Sequence, residues 1–426
     1  MQMNYRCPGC GNTMEFSPSE QKMYCVYCGS KHTVEELNEM LGRSGIYEGV
    51  GNIGKPVYGG ESDTQESAIT EEAALQQKQA ERAHATIPMK ILHCNSCGAE
   101  LAVNSVESSS FCIYCGQATV VMDRVEDYLQ PDYLIPFKVT KEQAEVMIRS
   151  RLSMGSYIPE EIKNFKVDKI RGIYVPFWLY DMYYKDDQYW KYSVKRGKSR
   201  VTKYAKRCGD CHFERMTLDA SKNLNDDSSQ RLEPYNMREL QEFDPAYLSG
   251  FYSDRFDMGT DDLDGLAFRR AKNLFDETMK STVRHSDAKL VSSSPVHQVT
   301  KREYALLPVW FLTFRHDGLP YTIMVNGQTG KTVGAVPFDK KKAYLTFAAL
   351  AILFCVIFAL IGAYLTPVLM EDGDDGRLVI AYFGAIGIAL YSIWSGAIKK
   401  YKAMMVSIGL TTSGKISRFV RERAGD

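Results

Sequence analysis

Eight cysteines in two identical frames constrain this chain more than any other feature. Cys7, Cys10, Cys25 and Cys28 form the first frame, and Cys94, Cys97, Cys112 and Cys115 the second. Both read C-x2-C, fourteen intervening residues, then C-x2-C. Glycine follows each pair, at Gly11, Gly29, Gly98 and Gly116. A C-x-x-C-G knuckle wraps the backbone around a metal, and glycine accepts the positive φ that such a turn needs. Four thiolates from two knuckles complete a tetrahedral zinc site of the structural kind, with no position left for a reactive water. The spacing therefore predicts two small, rubredoxin-like zinc ribbons, each holding one Zn2+. Iron in a rubredoxin-like site is the alternative metal. Disulfides would need an oxidising compartment, and Met1–Cys10 carries no apolar signal sequence.

Zinc ribbons often touch nucleic acid, which requires clustered cations. The first frame mixes Arg6, Lys22 and Lys31 with Glu15, Glu20, Glu35 and Glu36, and residues Ile91–Val121 contain no Lys or Arg. The whole chain balances 52 Lys+Arg against 52 Asp+Glu, so no net field favours a polyanion. Nucleic acid is thus an unexpected partner for the ribbons, and docking of a protein is the expected role.

Two further cysteines stand in Arg207-Cys208-Gly209-Asp210-Cys211-His212. The string matches a haem-attachment motif and also a redox C-x-x-C. Its charged neighbours Lys203, Lys206, Glu214 and Arg215 point instead to two free thiols on a solvated hairpin. Gly330-Lys331-Thr332 resembles the end of a phosphate loop, but the required earlier glycine is Val325. No nucleophile–base constellation or carboxylate pair stands out, and no enzymatic activity is expected.

Between and beyond the ribbons the chain divides into segments. Residues 1–41 comprise ribbon one and a short helix, opened by a capping box of Thr33 and Glu36. Residues 42–90 form a linker with a helical stretch at Glu71–Arg82, and 91–122 hold ribbon two. Residues 128–338 read as an α+β domain. It begins with a strand at Tyr133–Val139 and a helix capped by Thr140 and Gln143. Strand clusters follow at Gly172–Asp181 and Tyr304–Phe314, with a helix over about Asp262–Thr282 and a hairpin turn at Asn326–Gly330. Each strand cluster carries an internal proline (Pro136, Pro176, Pro308), which predicts edge strands or bulges.

Two uncharged runs, Ala343–Thr366 and Leu378–Ile398, are long enough as helices to cross a bilayer. Lys340–Lys342 and Lys399, Lys400 and Lys402 flank them, and the loop between holds Glu371, Asp372, Asp374 and Asp375. The positive-inside rule then predicts a transmembrane hairpin in a multi-pass protein of the cell (cytoplasmic) membrane, with both termini and the basic tail 399–426 in the cytoplasm.

Several segments occur together in one order: the ribbon Cys94–Cys115, the stretch Ile135–Ala144, Gly172–Asp181, Leu232–Tyr235, Phe243–Tyr252 and Val325–Lys331. In these the chain resembles a family of bacterial membrane proteins with a TFIIB-type zinc ribbon, some of whose members carry the misleading label of primosomal replication helicase. The resemblance implies a lipid-bilayer anchor of the phage-shock- and flotillin-associated type that recruits a cytosolic partner, flotillin-like or phage-shock-like, in envelope stress. It carries over only the cysteine ligands. The first ribbon and the Cys208–Cys211 segment depart from the family pattern.

The combined expectation is an α+β protein with two zinc ribbons and a C-terminal transmembrane hairpin. Its expected function is that of a membrane-anchored adaptor. The competing readings are a membrane-tethered nucleic-acid-binding regulator and an enzyme using Cys208 and Cys211 as a redox pair.

Overall fold

A computed structural model describes residues 5–42, 86–103, 112–115, 117, 120–153, 158–164, 170–197, 199–221, 226–256, 258, 260–316, 319–334, 339–370 and positions 384, 387, 391, 392 and 395. The helical stretch expected at Glu71–Arg82 and the basic tail 399–426 lie outside these residues.

Ribbon one is a three-stranded antiparallel sheet of β1 (Glu15–Ser17), β2 (Lys22–Tyr24) and β3 (Lys31–His32), followed by α1 (Val34–Met40). Thr33 and Glu36 close the expected capping box in both directions. Ribbon two contributes β4 (Thr86–Cys94), β5 (Glu100–Val103) and β6 (Val120–Leu129). Next come β7 (Tyr133–Leu134), α2 (Lys141–Ser153) and α3 (Glu160–Lys163). A long hairpin of β8 (Ile170–Arg196) and β9 (Ser199–Asp219) precedes α4 (Asp226–Leu232), β10 (Gln241–Glu242) and β11 (Tyr252–Ser253). Then follow α5 (Thr260–Val283), β12 (Lys289–Ser293), β13 (Val296–His316), β14 (Leu319–Asn326), β15 (Thr332–Gly334) and α6 (Lys340–Met370).

Strands β4 to β15 make one twelve-stranded mixed sheet, whose main path runs β10-β7-β13-β8-β11-β5-β4-β6. This corrects the expected α+β class: the body is mostly a large mixed sheet with few helices. The separate strand clusters of the sequence merge because alternation persists far beyond them. Along β8, Met182, Tyr184, Asp186, Gln188 and Trp190 are all buried while Tyr183, Lys185, Tyr189 and Lys191 are exposed, the period of a half-buried strand. The buried face receives α5, whose Leu263, Ala267, Ala271 and Phe275 recur every four residues and pack on Tyr180, Met182, Tyr184, Met216 and Leu218. The aromatic-rich Tyr174–Tyr192 stretch is largely core, as its residue types suggest: Tyr174, Phe177, Tyr180, Tyr184 and Trp190 are buried.

Pro176 and Pro308 do not mark edges or bulges, and Pro136 lies past the end of β7, outside any strand. Pro176 in β8 and Pro308 in β13 lie in the middle of the sheet, in a stretch where the β8–β13 register runs unbroken. Each stands where its strand changes neighbours. β8 pairs with β11 up to Tyr174 and with β9 from Phe177. β13 pairs with β7 up to Leu306 and with β14 from Val309. The Pro176 carbonyl accepts the Ala220 amide at 3.1 Å, and the Pro308 carbonyl accepts that of Gly327 at 2.8 Å. Both prolines thus face the seam, where the missing N–H is not needed.

Among the described residues, no helix is long and apolar enough to cross a membrane. Of the second expected span, Leu378–Ile398, only Gly384, Gly387, Tyr391, Ser392 and Ser395 are described. That no described helix can cross a membrane corrects the expectations of a two-helix transmembrane hairpin and of a multi-pass membrane location.

Candidate metal centres

The four knuckles share one backbone construction. The amide of each first cysteine donates to the carbonyl five residues on: Cys7 to Asn12 (2.7 Å), Cys25 to Ser30 (2.9 Å), Cys94 to Ala99 (2.9 Å) and Cys112 to Gln117 (2.8 Å). Gly11, Gly29 and Gly98 take φ of +73°, +76° and +71° and donate back to the first cysteine's carbonyl. A β-carbon there would strain the turn, which is why glycine follows the pair.

The construction brings each set of four sulfurs together. Cys7, Cys10, Cys25 and Cys28 form one group and Cys94, Cys97, Cys112 and Cys115 the other, with all ligand atoms within 4.8 Å of one another. The contacts across the knuckles are 3.5 Å for Cys7–Cys28, 3.5 Å for Cys10–Cys25, 3.7 Å for Cys94–Cys115 and 3.6 Å for Cys97–Cys112. A tetrahedron with Zn–S bonds of about 2.3 Å has edges of about 3.8 Å. The residues therefore fit a tetrahedral metal ion, and both groups are positioned to bind one. Every cysteine expected as a ligand falls in its expected group.

The two centres differ in surroundings. In the first, Cys10 and Cys28 are exposed, and the Ser30 hydroxyl 3.0 Å from Cys28 Sγ lowers that thiol to about 6. In the second, three of the four cysteines are buried. There the interaction of the Cys112 and Cys115 thiols pushes Cys112 up and holds Cys115 far below an ordinary thiol. Thiolate character at close-packed sulfurs is what a metal cation would compensate.

Neither ribbon stands apart from the sheet. Ribbon two is built into it: β5 pairs with β11, and Tyr114 of its second knuckle donates to the buried Asp254. The Thr313 hydroxyl of β13 bonds the Ile113 carbonyl in the same knuckle. Ribbon one lies against the single-turn helix at Pro245–Leu248. Tyr5 and Asn38 both reach Asp244, at 2.8 and 2.6 Å, and Phe16 packs edge-on to Tyr247 with centroids 4.9 Å apart. Gly250 takes φ +90°, which favours glycine, and Glu15 packs 3.5 Å from where a β-carbon on Gly250 would stand. The sequence held a signal for this dock in Phe243-Asp-Pro-Ala-Tyr, but not for the partner it meets.

Cys208 and Cys211 do not form a site. Both lie in the regular strand β9, three residues apart and so on opposite faces, Cys208 exposed and Cys211 turned towards α5. Burial raises the Cys211 thiol. Gly330-Lys331-Thr332 lies at the β14–β15 hairpin, where Gly330 closes the turn onto Asn326 at 2.9 Å.

No family model matches the chain, and no solved structure matches it. The chain is similar to "Uncharacterized protein YdjG" of Bacillus subtilis (strain 168), with 28% identity over 250 residues, 55% of this chain and 72% of the relative.

Proposed function

We propose that this chain is a protein-docking adaptor whose two four-cysteine centres each hold a structural Zn2+. Thiolates alone suit zinc, and rubredoxin-like iron is the other metal that the same four sulfurs would accept. The centres would perform no chemistry, because four thiolates fill a tetrahedral ion. Their work is mechanical: each fixes two loops that would otherwise cost chain entropy to order.

One observation carries the docking role. Between Cys25 and Cys28, at the tip of a metal-clasped knuckle, Val26 and Tyr27 are 61% and 74% exposed. A rigid loop loses little freedom on binding, and an aromatic ring with an aliphatic neighbour supplies the apolar anchor that protein interfaces favour. The resemblance to a zinc-ribbon family of recruiting proteins supports the same reading.

The test is a paired measurement on the full chain. Metal analysis should return two zinc per chain for the protein and for a Val26→Ser, Tyr27→Ser double variant. Affinity capture from native cells should recover a protein partner with the first and lose it with the second. Retention of the same partner at the same level by the double variant would reject the knuckle as the docking tip.

A further inference from the structure

From Gln188 to Arg207 the chain holds eight Lys and Arg and no Asp or Glu. The fold turns this run into a surface. It forms the outer part of the β8–β9 hairpin, and its cross-strand pairs are Tyr189 with Lys206, Lys191 with Tyr204, and Lys195 with Arg200. Opposed residues share a face, so each of these pairs sets a cation on one side of the sheet. β12 extends that side, with Lys289 opposite Lys191. A row Lys289–Lys191–Tyr204 thus crosses three strands.

The reverse side is covered as far as Tyr192, and beyond it Arg196 and Lys203 are exposed. Trp190 is buried against Val283 and Ala288, Tyr192 stacks on His285 at 4.2 Å, and Arg207 bonds Thr282 at 2.9 Å. The outward side is open, with Tyr189 45% and Tyr204 66% exposed. Its carboxylates are few. Asp187 is held by Lys206 at 3.2 Å, and Lys206 also lies 5.8 Å over the Tyr189 ring. Asp287 accepts the Ser193 amide at 2.9 Å, and Asp210 stands further from the turn, opposite Lys185. Among the described residues, Lys191, Lys195, Arg200 and Lys289 have no ion-pair partner.

We propose that this outward face binds single-stranded nucleic acid, with Lys191, Lys195, Arg200 and Lys289 on the phosphates and Tyr189 and Tyr204 stacking on bases. Cations alone would suit any polyanion. The two open phenol rings add a demand for flat π-faced partners, which nucleobases meet and acidic peptides do not. Tyr189 and Tyr204 are diagonal neighbours, about 7–8 Å apart at their backbones, so one strand can reach both. A single strand is favoured over a duplex because stacked, paired bases leave the two tyrosine rings no free base face to stack on. The site lies apart from both metal centres and is independent of the docking knuckle.

Anisotropy of a fluorescein-labelled oligothymidylate with the zinc-loaded full chain tests the proposal, with the matching duplex and polyglutamate as competitors. Expected is salt-dependent binding of the single strand, with a log–log slope of about −3 for four phosphate contacts. Lys191→Ala should make that slope shallower by about 0.7. Tyr204→Ala should weaken binding about tenfold, and Tyr204→Phe should restore it. Any of four results overturns the proposal: no salt-dependent binding, duplex bound as tightly as single strand, polyglutamate competing equally, or full affinity in Tyr204→Ala. Loss of binding in Cys7→Ser with Tyr204→Ala unaffected would move the site to the ribbon and equally overturn it.

Discussion

Tyr5 donates its hydroxyl to Asp244 across 2.8 Å, although 239 residues separate the two. The second oxygen of the same carboxylate takes the Asn38 amide at 2.6 Å, and the first also caps Ala246 at 2.8 Å. One aspartate therefore fastens both ends of ribbon one to the sheet. Asp244→Ala removes the acceptor of the hydroxyl of Tyr5, a fully buried residue, at a cost of about 1–3 kcal/mol. Urea denaturation of the zinc-loaded protein should show an early transition confined to ribbon one, and Asp244→Asn, which keeps an acceptor, should suppress most of it.

The two metal centres should fail differently. Cys7→Ser and Cys94→Ser should each lose one metal ion per chain. Among the described residues, ribbon one meets the body through side chains and one amide, from Phe16 to the Ser249 carbonyl, so Cys7→Ser should leave the large sheet intact. Cys94 ends β4, which pairs with both β5 and β6, so Cys94→Ser should also cost sheet signal. Metal analysis with circular dichroism distinguishes the two outcomes.

Gly172 has no room for a side chain. An added β-carbon would come within 2.5 Å of the Phe251 ring and 3.2 Å of Trp310. Overpacking of this kind costs about 1–3 kcal/mol. Gly172→Ala should lower the denaturation midpoint, and Gly172→Ala with Phe251→Leu should recover part of the loss.

Acid should weaken the seating of α5 on the sheet. Arg302 grips Asp264 with Nε at 3.0 Å and Nη2 at 2.6 Å, and Tyr180 donates to the same carboxylate at 2.9 Å. The guanidinium holds Asp264 below its ordinary 3.8. A lowered carboxylate adds stability that is complete above the ordinary value and fades as pH falls through the lowered one. Denaturation followed from about pH 5 down to about pH 2 should show this loss, and Arg302→Ala should reduce its steepness.

Cys208 and Cys211 should behave as two unrelated thiols. Cys208 is exposed, whereas Cys211 is partly covered and its thiol raised by burial. Alkylation followed by mass spectrometry should mark Cys208 first. Mild oxidation should give no bridge between them, since side chains on opposite faces of a strand cannot meet.

Much of the local chemistry was legible in the residues. The knuckles, the Thr33–Glu36 and Thr140–Gln143 boxes and the Asn326–Gly330 turn each involve partners a few positions apart. Local hydrogen bonding decides them, and local sequence records it. The sheet was less legible. The alternation in β8 continues through Asp186 and Gln188, which are buried yet polar because Ser293, Ser294, Asp276 and Trp190 satisfy them. A reading by hydrophobicity stops there and breaks one strand into several. The prolines misled for a similar reason. A missing donor matters only where a neighbour asks for it, and neighbours are a tertiary property. The basic run was visible, but which of its cations share the open side is decided by the β8–β9 register.

Pro176 and Pro308 also act as end-stops. A growing hairpin zips by offering each new amide to the strand beside it. β9 cannot zip along β8 beyond Pro176, nor β14 along β13 beyond Pro308, because no amide hydrogen waits there. The berths past these points fall to β11 and β7, two residues each, which could never outcompete an advancing ladder for the same edge. Two imino acids thereby reserve the places through which ribbon two and the segment leading into α2 join the body.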